Sequence, residues 1–255
     1  MRVTACLVVY NEEAVIERCL ESISLVVDEI IIIMDGKSTD STKSICKEFG
    51  CRIYEQKHLG EAEPHKMLSY SLAKNDWILE IDADEYLSLP LQDFIKKREF
   101  NADAYRFIWR QYYGDKLLRM RNYGKTVLFN KKRMLDETRV LRTDFIFKGE
   151  TKLLDYEIFH KPVNNIYHPI KSIERRKRKA KIKAIHLVEY GVVKQVKIIY
   201  LPKSIISFCY EFLKLAFFKR VILDGIPGIN YCISVSQTYF YMNIEIYRLK
   251  CMIKN

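Results

Sequence analysis

Two carboxylates lie two residues apart at the end of an apolar segment. Asp82 and Asp84 occur in the sequence Asp-Ala-Asp-Glu, directly after residues 77–81, which are typical of a buried strand. Carboxylates are hard oxygen ligands, and Mg²⁺ is usually held by one or two of them together with water and substrate phosphates. The pattern predicts a divalent cation held against a diphosphate. Acidic turns also commonly follow strands, so this motif alone leaves both interpretations open.

The segments around this pair alternate between predicted strands and helices. Apolar runs predict strands at residues 4–9, 30–34, 51–54 and 77–81. Asn11 is expected to cap the first helix, and Pro64 to open the third. Short crossover units of this kind predict a mostly parallel α/β sheet flanked by helices.

Polar residues follow three of these strands. Tyr10 and Asn11 follow the first, Asp35 ends the second, and the pair Asp82 and Asp84 follows the fourth. Ligands of parallel sheets bind beyond the carboxyl ends of the strands. We therefore expect the three groups to form one site.

Composition limits the class of protein. The chain has 255 residues, of which 49% are hydrophobic and 29% charged, so it can fold around a sizeable core and is not disordered. Its seven cysteines include no Cys-x-x-Cys pair, which indicates free thiols in a reducing compartment. No secretory signal is recognisable at the start of the chain, so a cytoplasmic location is expected.

The positive charge is concentrated in the last third of the chain. Residues 1–170 contain 26 Lys and Arg against 27 Asp and Glu, whereas residues 171–255 contain 17 against 5. We expect two regions: residues 1–170 as a nearly neutral, catalytic body, and residues 171–255 as a basic helical region. Such a region suits an anionic partner.

Three segments together resemble a known family. They are residues 8–13 (Val-Val-Tyr-Asn-Glu-Glu), residues 28–42 with Asp35 near the centre, and residues 76–85 with the Asp-Ala-Asp-Glu sequence. Their order and spacing resemble the hallmark segments of the inverting family 2 glycosyltransferases with the GT-A fold, most closely the small bacterial enzymes that add sugars to the lipopolysaccharide core. The resemblance is strongest over the first 90 residues and implies a nucleotide-sugar donor and a metal cofactor, Mg²⁺ or Mn²⁺. It also implies that residues 1–170 form the GT-A catalytic domain, with nucleotide-sugar binding in 1–90 and the acceptor side in 91–170.

The resemblance also implies roles for individual residues. Val9, Tyr10, Glu12 and Asp35 would hold the nucleotide base, and the side chains themselves agree, because a carboxylate can accept the imide N–H of uracil and Tyr10 offers an aromatic face. Asp82, Ala83 and Asp84 would lie at the diphosphate, with Asp82 and Asp84 on the metal. Lys66 stands where the family usually has an arginine, so it is either a phosphate contact or a solvated helix lysine.

Inversion requires a base at the acceptor hydroxyl. The candidates are Glu150 and Asp144, and Glu150 is favoured because Phe-Lys-Gly-Glu at residues 147–150 resembles a family His-Glu segment; the opposing interpretation is an ordinary exposed glutamate. His168 matches a family histidine and is expected near the metal or diphosphate, or else is a turn residue. Trp109 and Asp115 are expected on the acceptor side.

The C-terminal region predicts amphipathic helices. Lysines and arginines crowd residues 171–183, and residues 203–223 and 231–250 combine apolar side chains with scattered charges. Charges every few residues exclude a membrane-spanning helix but suit one that lies on an anionic membrane surface. We expect peripheral attachment to the cytoplasmic face of the inner membrane; closure of the protein's own core and a homo-oligomer interface are the alternatives.

Three functions are compatible with these observations. The first is sugar transfer from a nucleotide-sugar donor to a lipopolysaccharide-core or other glycolipid acceptor. The second is a sugar nucleotidyltransferase, which would also use strand-end carboxylates and a metal and would release pyrophosphate. The third is nucleic-acid binding by the basic region, which is disfavoured because no recognised reader motif occurs and residues 1–170 are nearly neutral.

Overall fold

The computed structural model describes residues 1–60, 62–120, 124–135, 147–163, 165–189, 193 and 197–252. These residues form two compact units. The first contains residues 1–111 and 122–163, and the second contains residues 112–121 and 164–255. The predicted α/β class is confirmed.

Four parallel strands form the first half of the sheet. They are β1 (Val3–Val9), β2 (Glu29–Asp35), β3 (Arg52–Gln56) and β4 (Trp77–Glu80), in the spatial order β3-β2-β1-β4. Each parallel pairing runs in register, and every residue of β1 except Val8 is buried. This confirms the parallel arrangement expected from the apolar runs, and it brings the carboxyl ends of β1, β2 and β4 to one edge.

Three helices connect these strands: α1 (Ile16–Ser24), α2 (Thr42–Glu48) and α3 (Glu63–Leu72). Pro64 lies in the first turn of α3, as predicted. The prediction that Asn11 caps α1 is wrong. The backbone of Asn11 is left-handed, with φ 52°, and its side chain accepts a hydrogen bond from the backbone N–H of Thr39 (2.9 Å) instead. Asn11 therefore ties the end of β1 to the loop after β2, and the helix begins five residues later.

The remaining strands complete one mixed sheet. These elements are β5 (Glu85–Leu87), α4 (Leu89–Lys97), β6 (Ala104–Tyr113), β7 (Lys116–Leu117), β8 (Gly124–Asn130) and β9 (Thr151–His160). The spatial order continues from β4 through β8, β6 and β9 to β5. Four residues link β4 to β5, and this length of chain reaches about 17 Å, whereas the four strand spacings of a flat sheet would need about 19 Å. The sheet therefore curls, and residues 81–84 close the gap.

The second unit is helical around a long central helix. It contains α5 (Ile173–Glu189), α6 (Tyr200–Leu213) and α7 (Ile226–Met252), and α7 packs against both of the others. A π-turn (Lys214–Phe218) and a 3-10 turn (Val221–Asp224) join α6 to α7. The helix expected within residues 203–223 is thus shorter than predicted, and the one expected at 231–250 is longer.

One cation of the basic run is buried in this unit. The guanidinium of Arg176 donates to Oγ of Ser234 (2.5 Å) and to the carbonyl oxygens of Ile166, His168 and Pro169. Burial lowers the pKa of Arg176 from its usual value. Arg176 therefore fastens the turn before α5 to α7, while its neighbours Lys177 and Lys179 are exposed.

Candidate active site

The ends of β1 and β2 carry the residues predicted to hold the base. Val9 is buried as the last residue of β1, and Tyr10, which follows it, is 39% exposed. The ring of Tyr10 lies 4.4 Å from that of His58, measured between centroids. Glu12 is half-buried, and its backbone N–H donates to Oγ1 of Thr42 (2.8 Å). An aromatic face and polar groups therefore stand together at this edge.

Asp35 is only 4% exposed and is enclosed by the loop after β3. Its carboxylate accepts hydrogen bonds from the backbone N–H groups of Leu59 (2.6 Å) and Gly60 (2.9 Å), and Nε2 of His65 lies 3.0 Å from it. Gly36, with φ 95°, must be glycine because a Cβ there would lie 2.8 Å from Cβ of His58. Asp35 thus organises the loop that approaches Tyr10.

The end of β4 carries a network of ion pairs centred on Asp82. One carboxylate oxygen of Asp82 lies 3.1 Å from Nζ of Lys66, and the other lies 2.9 Å from Nζ of Lys125. Lys66 also pairs with the buried Glu80 (2.9 Å), and Lys125 with both oxygens of Glu85 (2.7 Å). Lys66 is buried, so it is not the solvated helix lysine of the alternative interpretation. Two cations therefore stand beside the first aspartate of the pair.

The network shifts the pKa values of its members. Partial burial would raise the pKa of Asp82, but the charges of Lys125 and Lys66 outweigh it and hold that pKa well below its usual range. Burial raises the pKa of Glu85, against the opposing charge of Lys125. Burial would lower the pKa of Lys125, yet the charges of Asp82 and Glu85 raise it. Lys125 therefore carries positive charge at neutral pH, and Asp82 is ionised.

Asp84 has a different environment. Its Oδ2 lies 3.0 Å from Nε2 of the buried His160, at the end of β9. Its backbone carbonyl accepts a hydrogen bond from the backbone N–H of Lys161 (2.8 Å). Among the described residues, the other carboxylate oxygen, Oδ1, has no hydrogen-bond or ion-pair partner. Asp84 is therefore held from one side only.

The donor chemistry at this edge suits a divalent cation bound with a diphosphate. Within the described ranges, no group of three or more His, Cys, Asp or Glu has the geometry of a complete metal cage. Asp84 nevertheless presents its second carboxylate oxygen two residues from the lysine-paired carboxylate of Asp82, and Mg²⁺ is characteristically bound by one or two carboxylates plus substrate phosphates. The residues present therefore fit the cation that the sequence predicts.

The predicted acceptor-side tryptophan borders the same network. Nε1 of Trp109 donates to Oε1 of Glu85 (2.6 Å), and Nζ of Lys125 lies 5.5 Å from the centre of its ring. Asp115 belongs to the second unit. Through its contacts with Glu85 and Lys125, Trp109 therefore lies beside the carboxylate pair.

The structure does not bring Glu150 to this edge. Glu150 is exposed immediately before β9, beside Lys152 at 3.5 Å, whereas His160 at the other end of β9 is the residue that meets Asp84. Strand residues advance about 3.3 Å each, so the two ends of the ten-residue β9 lie roughly 30 Å apart along the strand. This placement matches the opposing interpretation of an ordinary surface glutamate. Asp144 lies outside the described residues.

His168 belongs to the second unit. Its Nδ1 accepts hydrogen bonds from the backbone N–H groups of Ile170 (3.2 Å) and Lys171 (3.1 Å), so the ring stabilises the turn before α5. That is the turn role considered as the alternative. Contact between His168 and a metal stays a prediction.

Two side chains that contact the pair Asp82 and Asp84 were not among the sequence candidates. Lys125 is the second residue of β8, and His160 is the last residue of β9. A lone lysine or histidine in a strand has no distinctive local pattern. Only the strand order, which places β8 beside β4 and β9 beside β5, brings them to the carboxylates.

Comparisons with known proteins identify the family. Residues 4–162 match the model of the Glycosyl transferase family 2. An uncharacterized glycosyltransferase of Rickettsia felis is 31% identical over 249 residues, which cover 89% of this chain and 83% of that protein. Another from Rickettsia typhi is 30% identical over 244 residues, which cover 89% and 80%.

Solved structures show the same fold. S. aureus TarS, residues 1–349 in complex with UDP-GlcNAc, superposes with a TM-score of 0.52 over 98% of this chain and 92% of that one, at 12% identity. The mannosyltransferase PcManGT of Pyrobaculum calidifontis, in complex with GDP-Man and Mn²⁺, has a TM-score of 0.50 over 100% and 88%, at 13% identity. The predicted fold class is thereby confirmed as GT-A. The chain belongs to glycosyl transferase family 2 and is a glycosyltransferase.

Proposed function

We propose that this enzyme transfers a sugar, with inversion, from a UDP-sugar to a lipopolysaccharide-core or other lipid-linked glycan acceptor, and that it uses Mg²⁺ or Mn²⁺. The observation that carries the proposal is the carboxylate pair Asp82 and Asp84, which two lysines and a histidine fasten at the carboxyl end of β4. The solved glycosyltransferases of similar fold support a nucleotide-sugar donor, since TarS was crystallised with UDP-GlcNAc and PcManGT with GDP-Man and Mn²⁺.

Different residues at the carboxyl edge of the sheet bind the base and the diphosphate of the donor. Val9, Tyr10, Glu12 and Asp35 bind the base, with the Tyr10 ring as the stacking face. Asp84 and Asp82 hold the cation, with His168 as the proposed further ligand and the backbone of Ala83 at the phosphates. The cation, when bound, offsets the negative charge that develops on the departing nucleotide.

Lys66 and Lys125 supply positive charge beside the same carboxylate. Each lysine pairs with Asp82 and with a second carboxylate, Glu80 for Lys66 and Glu85 for Lys125. Both ammonium groups are therefore held in place before a substrate binds. A preorganised cation stabilises developing charge without reorganisation at the moment of reaction. We therefore propose both lysines as neighbours of the diphosphate.

The acceptor hydroxyl must lose its proton as the new bond forms. A carboxylate within hydrogen-bond reach of that hydroxyl is needed. Asp144 and Glu150 remain the two candidates, and the position of Glu150 at the far end of β9 favours Asp144. In a comparison of Asp144→Asn with Glu150→Gln, we expect the larger loss of kcat for Asp144→Asn.

A donor screen tests the reaction. The purified chain is incubated with UDP- and GDP-sugars and a lipid-linked glycan acceptor, with Mn²⁺ or with EDTA. We expect a glycosylated product and free UDP only with the metal, and a loss of at least 100-fold for Asp84→Ala. Pyrophosphate release from a nucleoside triphosphate would instead favour the nucleotidyltransferase. Equal turnover with Mn²⁺ and with EDTA would contradict the proposed metal dependence.

We also propose that the second unit attaches to the anionic cytoplasmic face of the inner membrane. Its helix α6 buries the polar residues Ser204 and Glu211 while Ile205 and Ile206 are 62% and 65% exposed, and Phe218 in the π-turn is 80% exposed. Lys203 and Lys214 lie over tyrosine rings of the same helix, at 5.1 and 5.4 Å. Apolar side chains flanked by cations suit an anionic lipid surface.

Among the described residues, the helices are too short or too polar to cross a bilayer. Flotation with vesicles tests peripheral attachment. We expect the full chain to float with vesicles that contain phosphatidylglycerol and to stay behind with neutral ones. Concentration-dependent dimers in solution without any flotation would favour the homo-oligomer alternative.

A further inference from the structure

Asp84 is fastened to the end of β9 by its backbone and its side chain. The backbone N–H of Lys161 donates to the Asp84 carbonyl (2.8 Å), and Nε2 of His160 lies 3.0 Å from Oδ2 of Asp84. The strand pairing explains this proximity, because Glu85 and His160 are directly opposite each other in the β5 and β9 register. The position of Asp84 thus depends on a residue 76 positions later in the chain.

His160 is itself held in place. Its Nδ1 lies 2.8 Å from Oε1 of the fully buried Gln111, which is its partner in the β6 and β9 register. The imidazole also packs against Trp109, with 5.2 Å between ring centroids. A Gln amide can turn either its oxygen or its amino group toward Nδ1, so it supports the ring in either tautomer. The ring therefore has little freedom to turn away from Asp84.

The two aspartates consequently differ in what holds them. Both oxygens of Asp82 face lysines, whereas on Asp84 the histidine engages Oδ2. A contact to one oxygen restricts rotation of the carboxylate and so favours one direction for its second oxygen. Residues that orient a metal-binding side chain in this way typically change metal affinity 10- to 100-fold when they are replaced.

We propose that His160, supported by Gln111, is a positioning residue that fixes Asp84 for the cation of the nucleotide-sugar donor. This inference rests on the proposed metal-dependent function. A histidine with a purely structural role would affect folding but not the affinity of the folded protein for the cation.

A pair of amide substitutions tests it. The Gln side chain places its amide nitrogen near the position of Nε2, whereas the Asn side chain is one methylene shorter and cannot reach Asp84. Mn²⁺ binding in the presence of UDP is measured from the electron paramagnetic resonance signal of free Mn²⁺, together with the melting temperature of each variant. We expect near-normal affinity for His160→Gln and a 10- to 100-fold weaker affinity for His160→Asn.

Phe159→Leu is the matched control. Phe159 is the neighbour of His160 in β9 and stacks on Tyr86, 5.0 Å between centroids, so its replacement disturbs the same strand pair without touching Asp84. We expect unchanged Mn²⁺ affinity. Equal affinity of His160→Asn, His160→Gln and wild type would overturn the positioning role. If His160→Asn fails to fold, Gln111→Leu replaces it, with weaker Mn²⁺ binding as the supporting result and unchanged binding as the overturning one. Absence of Mn²⁺ binding by wild type with UDP would instead overturn the proposed function.

Discussion

Lysines have different environments in the two units of this protein. In the first unit Lys66 and Lys125 are largely buried, and each lies between two carboxylates. In the second unit Lys177 and Lys179 of α5 are exposed, Lys177 in a surface pair with Glu174, within a region that carries 17 basic against 5 acidic residues. A buried, paired lysine is fixed and helps to define a site, whereas an exposed one remains available to an external anion. The positive net charge of the chain therefore reports on its surface and not on its active site.

Removal of the Lys125 charge gives the largest expected effect. Lys125→Met leaves Glu85 and one oxygen of Asp82 without their cation, and breaking a buried pair in this way costs about 3–5 kcal/mol of unfolding free energy. Lys132→Met is the control, since that lysine is 69% exposed beside Asp76, and its cost should be below about 0.5 kcal/mol. Urea unfolding measures both. Equal urea midpoints for Lys125→Met and Lys132→Met would show that the buried lysine contributes no more to stability than the exposed one.

Arg176 is a buried cation within the basic region, so its substitution separates the effect of burial from that of position in the chain. Arg176→Met removes the donor to Ser234 and to the carbonyls of His168 and Pro169, so we expect a loss of about 2–3 kcal/mol. Lys179→Met, three residues along the same helix, should leave the urea midpoint unchanged. A similar response of the two variants would mean that burial does not decide the role of cations in α5.

The rate of cysteine alkylation distinguishes buried thiols of the first unit from exposed thiols of the second unit in the wild-type protein. Burial raises the pKa of Cys6 to about 12 and that of Cys19 well above its usual range, so neither thiol forms appreciable thiolate at pH 8. Cys209 and Cys251 of the second unit are exposed. Iodoacetamide at pH 8 should label only the exposed pair of these four, as read by peptide mass spectrometry, and all four after unfolding. Rapid labelling of Cys19 in the native protein would contradict its burial.

The smallest expected effect on stability comes from the exposed apolar residues of the second unit. Ile206→Ser and Phe218→Ser should each change the unfolding free energy by less than about 0.5 kcal/mol, because both side chains are already in water. Under the membrane proposal the double variant should nevertheless lose most of its binding to anionic vesicles. Leu215→Ser, a buried neighbour, should destabilise the protein instead. Undiminished flotation of the double variant would reject this surface as the contact.

Local sequence patterns were sufficient for the first half of the sheet. The strands at residues 30–34 and 77–81 and the helix that starts near Pro64 follow from apolar runs and a proline position, which act over a few residues. The same reasoning placed Asp35 and Asp82 at strand ends. The capping prediction for Asn11 was wrong because its side chain bonds to Thr39, which is 28 residues later in the sequence and cannot be identified from the local pattern.

The partners of the carboxylates could not be predicted from local patterns. Lys125 and His160 reach Asp82 and Asp84 only because β8 pairs with β4 and β9 pairs with β5. Neither residue type is unusual in a strand, and no periodicity reveals which strands will be neighbours. For the same reason Glu150, which resembles a family residue by sequence, lies at the other end of the strand that carries His160.

Calorimetric titration of UDP into wild type and Asp84→Asn, with and without Mn²⁺, measures whether the carboxylate pair holds a cation. The carboxylate pair at the end of β4 is predicted to hold the cation against the diphosphate, so Mn²⁺ should tighten UDP binding at least tenfold in wild type and hardly at all in Asp84→Asn. Uridine, which has no phosphates, should show no Mn²⁺ dependence with either protein. Equal enhancement of UDP binding by Mn²⁺ in both proteins, or none in wild type, would show that Asp84 does not hold a cation against the diphosphate.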